Sequence, residues 1–428
     1  MGPRPAEGGG CPRPGRAEAL LLGAALAVRV LWACLAPTDL WFDHVFNDAT
    51  ARSLALGHGF TASTAPPFDP AVFRTPGYPS FLAAVYLVAG PSVRAAFLAQ
   101  ALLDTLSCWL LWRMAARTLG PRTGLATLAL AASYPFTVHA VGTLSPETPL
   151  VLLGLLLAAV VDSWPAAGGT ARVLAAGVLC GALSWVKPVF LPLPLFLLLA
   201  DRLRGRPWRT AVPRGAAAGA VALALFAPWV LRNQREFGRP LLSGETGIVV
   251  SHGTRDFDPS APGEIRAGFE ILRAEPAARY EKERAGYADS RALLAKDGEY
   301  LEDGLSRIRA RPARAFLLDP LRRVPRLWIS SSHALMPGWV GWAAAAASVL
   351  YLLLGAAGLW ALRGSIRAFA AWWILPVALT LLYAALHAEA RYTLPARPTL
   401  LLLGGAALAA WGPGRREEKA PGSGDAGP

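Results

Sequence analysis

The sequence has 428 residues, of which 54% are hydrophobic and only 17% are charged. A soluble domain carries about 25% charged residues, so the composition excludes an ordinary soluble protein and indicates a membrane protein. The net charge of +13 would suggest nucleic acid binding in a soluble protein. Arg and Lys also accumulate in the short cytoplasmic loops of membrane proteins, and we expect no nucleic acid partner.

The hydrophobic residues are concentrated in runs of about 18 to 22 residues, long enough to cross a bilayer core of about 30 Å as a helix. Helices are favoured there because lipid offers no partners to backbone polar groups. The sequence therefore predicts an all-α polytopic membrane protein with about ten transmembrane helices. The predicted spans are 18–37, 94–116, 123–141, 147–164, 171–187, 188–201, 214–231, 340–362, 367–386 and 393–411.

The basic residues indicate the topology of these spans. The run "DRLRGRPWR" (Asp201–Arg209) falls in a predicted inside loop, whereas the short outside loops 142–146 and 387–392 hold a single Arg. This asymmetry predicts that both chain ends are cytoplasmic. The segment "WVKPVFLP" (Trp185–Pro192) is either a break within one tilted helix or a turn between two spans.

The predicted domain order follows from this topology. It is a disordered cytoplasmic tail (1–17), a transmembrane core (18–231) with a juxtamembrane first outer loop (38–93), a small, mainly helical extracytoplasmic insertion (232–339), C-terminal transmembrane helices (340–411) and a second disordered cytoplasmic tail (412–428). An apolar stretch within the first outer loop, 78–90, is too short to span the bilayer and is expected to form an interfacial or re-entrant helix.

Two carboxylates stand where the first span leaves the lipid. Asp43 and Asn47 are four residues apart, as are His44 and Asp48, and each pair would share one face of a helix. A carboxylate partly shielded from water has a raised pKa and can accept a proton from a hydroxyl group. The alternative is that these acids only cap or solvate a helix end.

Further candidates lie at the same predicted side. Five prolines and a glycine stiffen "PPFDPAVFRTPGYP" (Pro66–Pro79), whose only cation is Arg74. A rigid loop with one Arg suits a phosphate or an anionic lipid, although it is also compatible with a plain surface loop. Glu147 stands at the outer mouth of the fourth span, where it forms a possible site with Asp43 and Asp48 or simply stabilises the helix dipole.

Ionisable and polar residues also occur within or at the ends of the spans, namely Gln100, Asp104, Lys187, Arg391 and Tyr392. Such groups usually face a cavity or a partner, so they either pair structurally or line a lipid-phosphate pocket. The sequence holds no Walker loop, no GxGxxG motif after a strand and no HExxH motif. We therefore expect any sugar or acyl donor to arrive in the membrane on a lipid, and no metal-ligating residues are predicted.

Several motifs occur in a recognisable order between about 18 and 411. They are "DHVFNDATARSLALGHGF" (Asp43–Phe60), "RTPGYPSFLAAVY" (Arg74–Tyr86), "FLAQALLDTL" (Phe97–Leu106), "SYPFTVHAVGTLSPETPLVLLGLL" (Ser133–Leu156), "APWVLRNQREFGRP" (Ala227–Pro240) and "ARYTLPARPTL" (Ala390–Leu400). Together they resemble GT-C type membrane glycosyltransferases of the family-39-like group. That group includes protein O-mannosyltransferases, the aminoarabinose transferases of lipid A and bacterial dolichyl-phosphate-mannose mannosyltransferase-like proteins.

This resemblance implies a polyprenyl-phosphate sugar as donor and an outer-loop Asp as general base. Counting back from Gly57, the family's Asp falls on Asp43, and Asn47 replaces a usual Tyr, which leaves Asp48 as a second candidate. Glu147 matches the second acidic position. The predicted substrate-binding residues are His44, Arg74, Tyr78, Gln100, Lys187, Arg391 and Tyr392, of which Arg74, Lys187 and Arg391 match positions suited to the donor phosphate.

The resemblance further implies direct, inverting transfer at the outer face of a bacterial inner membrane. The acceptor class stays open between protein, lipid A, teichoic acid and cell-wall glycan, and a requirement for a divalent metal also stays open. A transporter or flippase of lipid-linked saccharides is the alternative, but it would predict paired half-repeats and midplane charges, and no repeat is visible. A non-catalytic scaffold would leave the clustered acids unexplained.

Overall fold

The structure is a computed structural model that describes residues 14–163, 169–255, 276–329 and 338–411. Every regular element within these ranges is a helix, and the described residues contain no strand. The predicted all-α class is therefore confirmed. The C-terminal tail predicted at 412–428 lies outside the described residues, as do residues 1–13 of the predicted N-terminal tail.

The helices are numbered in chain order. They are α1 (Arg16–Leu35), α2 (Asp43–Ala55), α3 (Gly77–Ala89), α4 (Val93–Leu119), α5 (Pro121–Ala132), α6 (Pro135–Val141), α7 (Glu147–Asp162), α8 (Thr170–Val186), α9 (Leu193–Leu203), α10 (Trp208–Phe237), α11 (Thr246–Arg255), α12 (Pro276–Ala288), α13 (Ser290–Ala310), α14 (Ala313–Trp328), α15 (Gly338–Ala361), α16 (Ala370–Ala385) and α17 (Arg397–Trp411). Short 3-10 helices occupy Pro188–Phe190, Arg363–Phe369 and Ala390–Ala396.

Each predicted span coincides with helical residues. Among the described residues, six helical segments are long and apolar enough to cross a membrane, and the bent pair α5–α6 would make a seventh. A multi-pass membrane protein is thus confirmed, whereas the total of ten spans stays a prediction. The two halves of 171–201 form separate helices, α8 and α9, because Pro188 and Pro192 interrupt the backbone hydrogen bonding between them, and Pro194 lies in the first turn of α9.

The α5–α6 break has a similar cause. The helix stops at Ser133 and restarts at Pro135, and the two halves are bent by 51°. Proline has no backbone N–H and clashes with the preceding turn, so it is accepted at the first position of a new helix. The bend leaves the 142–146 loop free to approach the first outer loop.

Small residues allow the membrane helices to approach closely. A Cβ atom at Gly358 of α15 would lie 1.8 Å from the carbonyl oxygen of Leu403 on α17, and one at Gly177 of α8 would lie 2.8 Å from that of Ala218 on α10. Neither contact leaves room for a side chain. Close backbone approach at small residues is a usual source of stability between helices in lipid.

A buried ion pair joins α1 to α4. Arg29 has no exposed surface, and its Nε lies 2.6 Å from Oδ2 of Asp104. Its other N–H groups donate to the carbonyl oxygens of Ala25, Ala131 and Ala132. Asp104 therefore pairs structurally, which was one of the two alternatives for the intramembrane groups.

The predicted interfacial helix is α3, and α2 packs beside it. Although α2 stands in the predicted outer loop, residues 44–51 are all buried. Part of the surface of α2 is buried by α12, which belongs to the predicted insertion and packs against α2. The boundaries predicted for the core, the insertion and the C-terminal helices stay predictions.

Candidate functional site

The first turn of α2 is held in an unusual backbone conformation. Phe42, which precedes Asp43, has a φ of +48°, a left-handed value that residues other than glycine rarely adopt. Its N–H donates to Oε2 of Glu283 on α12 at 2.5 Å. This bond helps to fix where α2 begins, and hence where the Asp43 side chain points.

Asp43 lies between two arginines from distant segments. Nη2 of Arg74 is 2.7 Å from Oδ1 of Asp43, and Nη2 of Arg391 is 3.7 Å from Oδ2. Arg74 also contacts the carboxylate of Glu245, and Arg391 Nε is 2.5 Å from Oε2 of Glu389. The two guanidinium groups therefore connect three acids from three parts of the chain.

A second pair lies beside this group. Lys187 Nζ is 3.0 Å from Oε1 of Glu147, and it is 4.9 Å from the ring centroid of Tyr392. The same ring lies 5.5 Å from the Arg391 guanidinium and stacks on Tyr383 with 4.5 Å between the centroids. Tyr392 thus links the Lys187–Glu147 pair to the arginines.

We refer to these seven residues as the charged cluster. It comprises three cations and four carboxylates, namely Arg74, Lys187, Arg391, Asp43, Glu147, Glu245 and Glu389. The cluster is shielded from water on one side, since Glu147 is 2% exposed and the Asp43 side chain 22%, whereas Arg391 and Glu389 are each 37% exposed. Charges in such a place are retained only when they are well paired.

Glu245 is positioned by the next helix. It directly precedes α11, whose first N–H groups need partners. The carboxylate of Asp297 on α13 accepts the N–H groups of Gly247 and Ile248, both at 2.9 Å. This cap fixes the start of α11 and keeps Glu245 against Arg74.

The acids of the cluster are not equivalent. Burial raises the pKa of Asp43, but the positive charges of Arg74 and Arg391 outweigh it and lower the pKa to about 2. Burial also raises the pKa of Glu245, and there Arg74 does not fully compensate because the neighbouring Asp43 charge opposes ionisation. Asp43 is therefore firmly ionised, and Glu245 takes up a proton more readily than an ordinary glutamate.

His44 is a neutral neighbour of the cluster. Burial lowers its pKa to about 4, and Arg391 contributes in the same direction. Its ring lies 5.4 Å from that of Trp41. At neutral pH, His44 offers a hydrogen-bonding ring without a charge.

Asp48 does not join the charged cluster. It lies five residues after Asp43, which places it about 140° around the helix. Its carboxylate accepts hydrogen bonds from the hydroxyls of Tyr86 and Tyr280, each at 2.6 Å, and from Arg52 Nε at 2.7 Å. Both oxygens are thereby occupied, and the acid is 1% exposed.

Tyr78 and Gln100 bond to each other and to backbone. The Tyr78 hydroxyl donates to Oε1 of Gln100 at 2.9 Å, and Nε2 of Gln100 donates to the carbonyl oxygens of Val141 and Thr143 at 2.9 Å each. These bonds hold the loop that precedes Glu147. Both residues therefore help to position Glu147, and neither belongs to the charged cluster.

Glu245 and Glu389 were missed at the sequence level. Glu389 stands in "HAEARY", two residues before the predicted Arg391, and Glu245 stands in "SGETG" just after α10. An acid beside a predicted phosphate-binding Arg was an available signal for Glu389. No local pattern indicates that Glu245 contacts Arg74.

The described ranges hold no group of three or more His, Cys, Asp or Glu side chains arranged to bind a metal ion. The cluster pairs each carboxylate with a cation instead. It offers guanidinium and ammonium donors, which suit a phosphate, and an ionised carboxylate beside them, which suits proton acceptance.

Comparisons with known proteins show what the chain is similar to. Residues 73–231 match the family model described as dolichyl-phosphate-mannose-protein mannosyltransferase. Archaeal oligosaccharyltransferase AglB from Archaeoglobus fulgidus, in complex with an inhibitory peptide and a dolichol-phosphate, aligns over 92% of this chain and 50% of its own, at 12% identity and a TM-score of 0.52. Residues 73–231 therefore resemble that family, and the helical fold of the chain is similar to that of AglB.

Two further solved structures align with this chain. The AglB form tethered to an acceptor peptide covers 92% of the chain and 49% of its own, at 12% identity and a TM-score of 0.53. ArnT from Cupriavidus metallidurans, bound to undecaprenyl phosphate, covers 92% and 77% respectively, at 18% identity and a TM-score of 0.46. This chain thus spans about half the length of AglB. A search of curated proteins gave no match.

Proposed function

We propose that this protein is a GT-C type glycosyltransferase that transfers a sugar from a polyprenyl-phosphate-linked donor to an acceptor hydroxyl at the extracytoplasmic face of the membrane. The observation that carries the proposal is the contact of the Asp43 carboxylate with Arg74 at 2.7 Å and with Arg391 at 3.7 Å. An ionised acid beside two guanidinium groups in one partly shielded place supports transfer from a phosphate-linked donor.

The cations suit the donor phosphate. Arg74 and Arg391 present forked donors, and Lys187 adds a third positive charge through its position over Tyr392. The neighbouring ends of the spans would set this phosphate at headgroup depth while the prenyl chain stays in lipid. Negative charge that develops on the departing phosphate would be stabilised by donors that are already in place.

Asp43 is the proposed general base. In the resting cluster its low pKa makes it a weak base. A bound phosphate would compete for Arg74 and Arg391, which would weaken their hold on Asp43 and raise its basicity. Donor binding would thus prepare the acid for its task.

The proposed reaction needs only the donor and the acceptor as reactants. The acceptor oxygen forms a bond to the anomeric carbon while its proton passes to Asp43. The bond from that carbon to the phosphate oxygen breaks, and polyprenyl phosphate leaves with the electron pair. A single displacement of this kind inverts the anomeric centre. Glu147 is proposed to support the site through Lys187.

The deciding experiment compares Asp43→Asn with Asp48→Asn in membranes supplied with polyprenyl-phosphate sugars. Loss of a general base typically costs about 10²- to 10⁴-fold in rate, and we expect this loss for Asp43→Asn alone. Asp48→Asn should retain most of the wild-type transfer rate, because the Asp48 carboxylate faces away from Arg74, Lys187 and Arg391. Full transfer by Asp43→Asn would overturn the proposal, and movement of the donor between leaflets without consumption would indicate a flippase.

A further inference from the structure

A cavity of about 620 Å³ lies on the side of α2 that carries Asp48. Its walls come from the loop before α2, from α2 itself and from the first turns of α12. The volume falls within the range of about 300 to 1,000 Å³ that small-ligand sites occupy. None of the charged-cluster residues lines it.

The charges on its wall are nearly balanced. Three acids and two arginines line the cavity, namely Asp39, Asp48, Glu281, Arg52 and Arg284. Each arginine already pairs with an acid, Arg52 with Asp48 at 2.7 Å and Arg284 with Glu281 at 2.5 Å. An anion would find no excess of positive charge here, so the wall favours an uncharged ligand over a phosphate.

Hydrogen-bonding groups are nevertheless abundant. Ser53 lines the cavity, is 4% exposed, and its Oγ has no hydrogen-bond partner. A buried hydroxyl without a partner is unfavourable, so a ligand that supplies one is favoured here. Tyr280 and His58 add ring surfaces with polar edges. Ring faces beside carboxylates, guanidinium groups and hydroxyls match a sugar, which has both apolar C–H faces and many hydroxyl groups.

The cavity is also connected to the proposed base. Leu40 lines it and stands three residues before Asp43. Helix α12 contacts both the cavity wall and the segment next to Asp43. Tyr280 donates to Asp48 at the cavity wall, and Glu283, on the same face of α12, accepts the N–H of Phe42. A ligand seated in the cavity would therefore contact the same helix that fixes the start of α2.

We propose that this cavity binds a neutral, hydroxyl-rich saccharide portion of the acceptor, remote from the hydroxyl that reacts. The inference rests on the proposed function, because only a transferase has an acceptor. It assigns to Asp48 the role of organising Tyr280 and Arg52 at the cavity wall.

The test uses the full-length protein in detergent micelles. Mannotriose, cellotriose and maltotriose are the probes, and saturation-transfer NMR measures their binding. At least one should bind, and Arg284→Ala should weaken its binding about tenfold, the equivalent of one lost hydrogen bond to a charged group. Ser53→Leu, which fills the cavity, should act in the same direction. The matched controls are Arg291→Ala and Ser306→Leu, both exposed on α13.

Three results would overturn the cavity proposal. They are binding of none of the three saccharides, binding that Arg284→Ala leaves unchanged, and preference for a Ser/Thr-rich peptide or for glycerol 3-phosphate over all three sugars. If Ser53→Leu does not fold, Arg284→Ala still decides the matter. Asp43→Asn separates the two proposals, since it should stop transfer and leave saccharide binding intact. Transfer by Asp43→Asn would count against the proposed function alone.

Discussion

Nη2 of Arg74 lies 2.7 Å from Oδ1 of Asp43, and the same guanidinium group reaches Glu245. An arginine that holds two carboxylates has the planar fork that a phosphate also requires. Arg74 is therefore the residue through which the proposed donor and the proposed base influence each other. The first two predictions concern this link.

Arg74→Lys should reduce sugar transfer by at least about tenfold and raise KM for the donor, because an ammonium group is a point charge that cannot replace a bidentate fork. Initial rates at varied donor concentration would measure both effects. Arg117→Lys is the matched control, since that Arg forms an exposed ion pair with Asp162. Wild-type kinetics in Arg74→Lys would contradict a role in holding phosphate.

Glu245→Gln should tighten donor binding at neutral pH. The phosphate must compete with Glu245 for Arg74, and the raised pKa of this acid means that protonation can release the guanidinium. Wild-type affinity should therefore rise as the pH falls, and the variant should lose most of that dependence. The donor is a phosphodiester, whose own charge stays constant between about pH 5 and pH 8.

The binding measurement is best made without an acceptor, so that the donor is not consumed and Asp43, whose charge helps to raise the pKa of Glu245, is kept. Glu299→Gln, exposed on α13, serves as the control. Weaker donor binding by Glu245→Gln, or a pH curve parallel to that of the parent, would show that Glu245 does not compete with the phosphate.

Arg29→Met should destabilise the protein by about 3–5 kcal/mol, because Asp104 would remain buried without its partner. The double variant Arg29→Met/Asp104→Leu should lose less than the two single variants together. It should not fully recover, since Arg29 also satisfies three backbone carbonyls. Unfolding in one detergent, followed by intrinsic fluorescence, would measure the three variants, and additive losses would rule out coupling.

His44 should make the fold less stable as the pH falls from about 6.5 to 4. Burial lowers its folded-state pKa to about 4, so over this interval the unfolded chain binds a proton that the folded chain does not. The contribution is at most about 1.4 kcal/mol per pH unit. His44→Gln should reduce the slope of stability against pH, whereas His58→Gln, at an exposed position, should not. Equal slopes in both variants would contradict the assignment.

Much of the helical framework could be predicted, because apolar runs of bilayer length leave few alternatives. Asp43, Glu147, Arg74, Lys187 and Arg391 were all named from the sequence, and the structure brings them together. The prolines of 66–79 and of 185–192 were the useful signals, since they mark where the chain leaves regular structure near a charged residue.

The remaining features depend on three-dimensional packing. Asp43 and Asp48 look alike in the sequence, and only the packing of α3 and α12 on α2 gives Asp48 its own partners. Gln100 resembles a ligand group until its backbone partners, Val141 and Thr143, are known. Glu245 contacts Arg74 because the Asp297 cap fixes the start of α11, and no local sequence pattern predicts such a contact.

Asp43 stands near one end of the chain and Arg391 near the other, yet their side chains meet in the charged cluster. During synthesis, the first outer loop is therefore made long before the second arginine emerges from the ribosome. A nascent or prematurely terminated polypeptide would contain Asp43 but would lack Arg391. Such fragments should be unable to use the proposed lipid-linked donor, so that transfer would begin only once the chain through Arg391 is inserted into the bilayer.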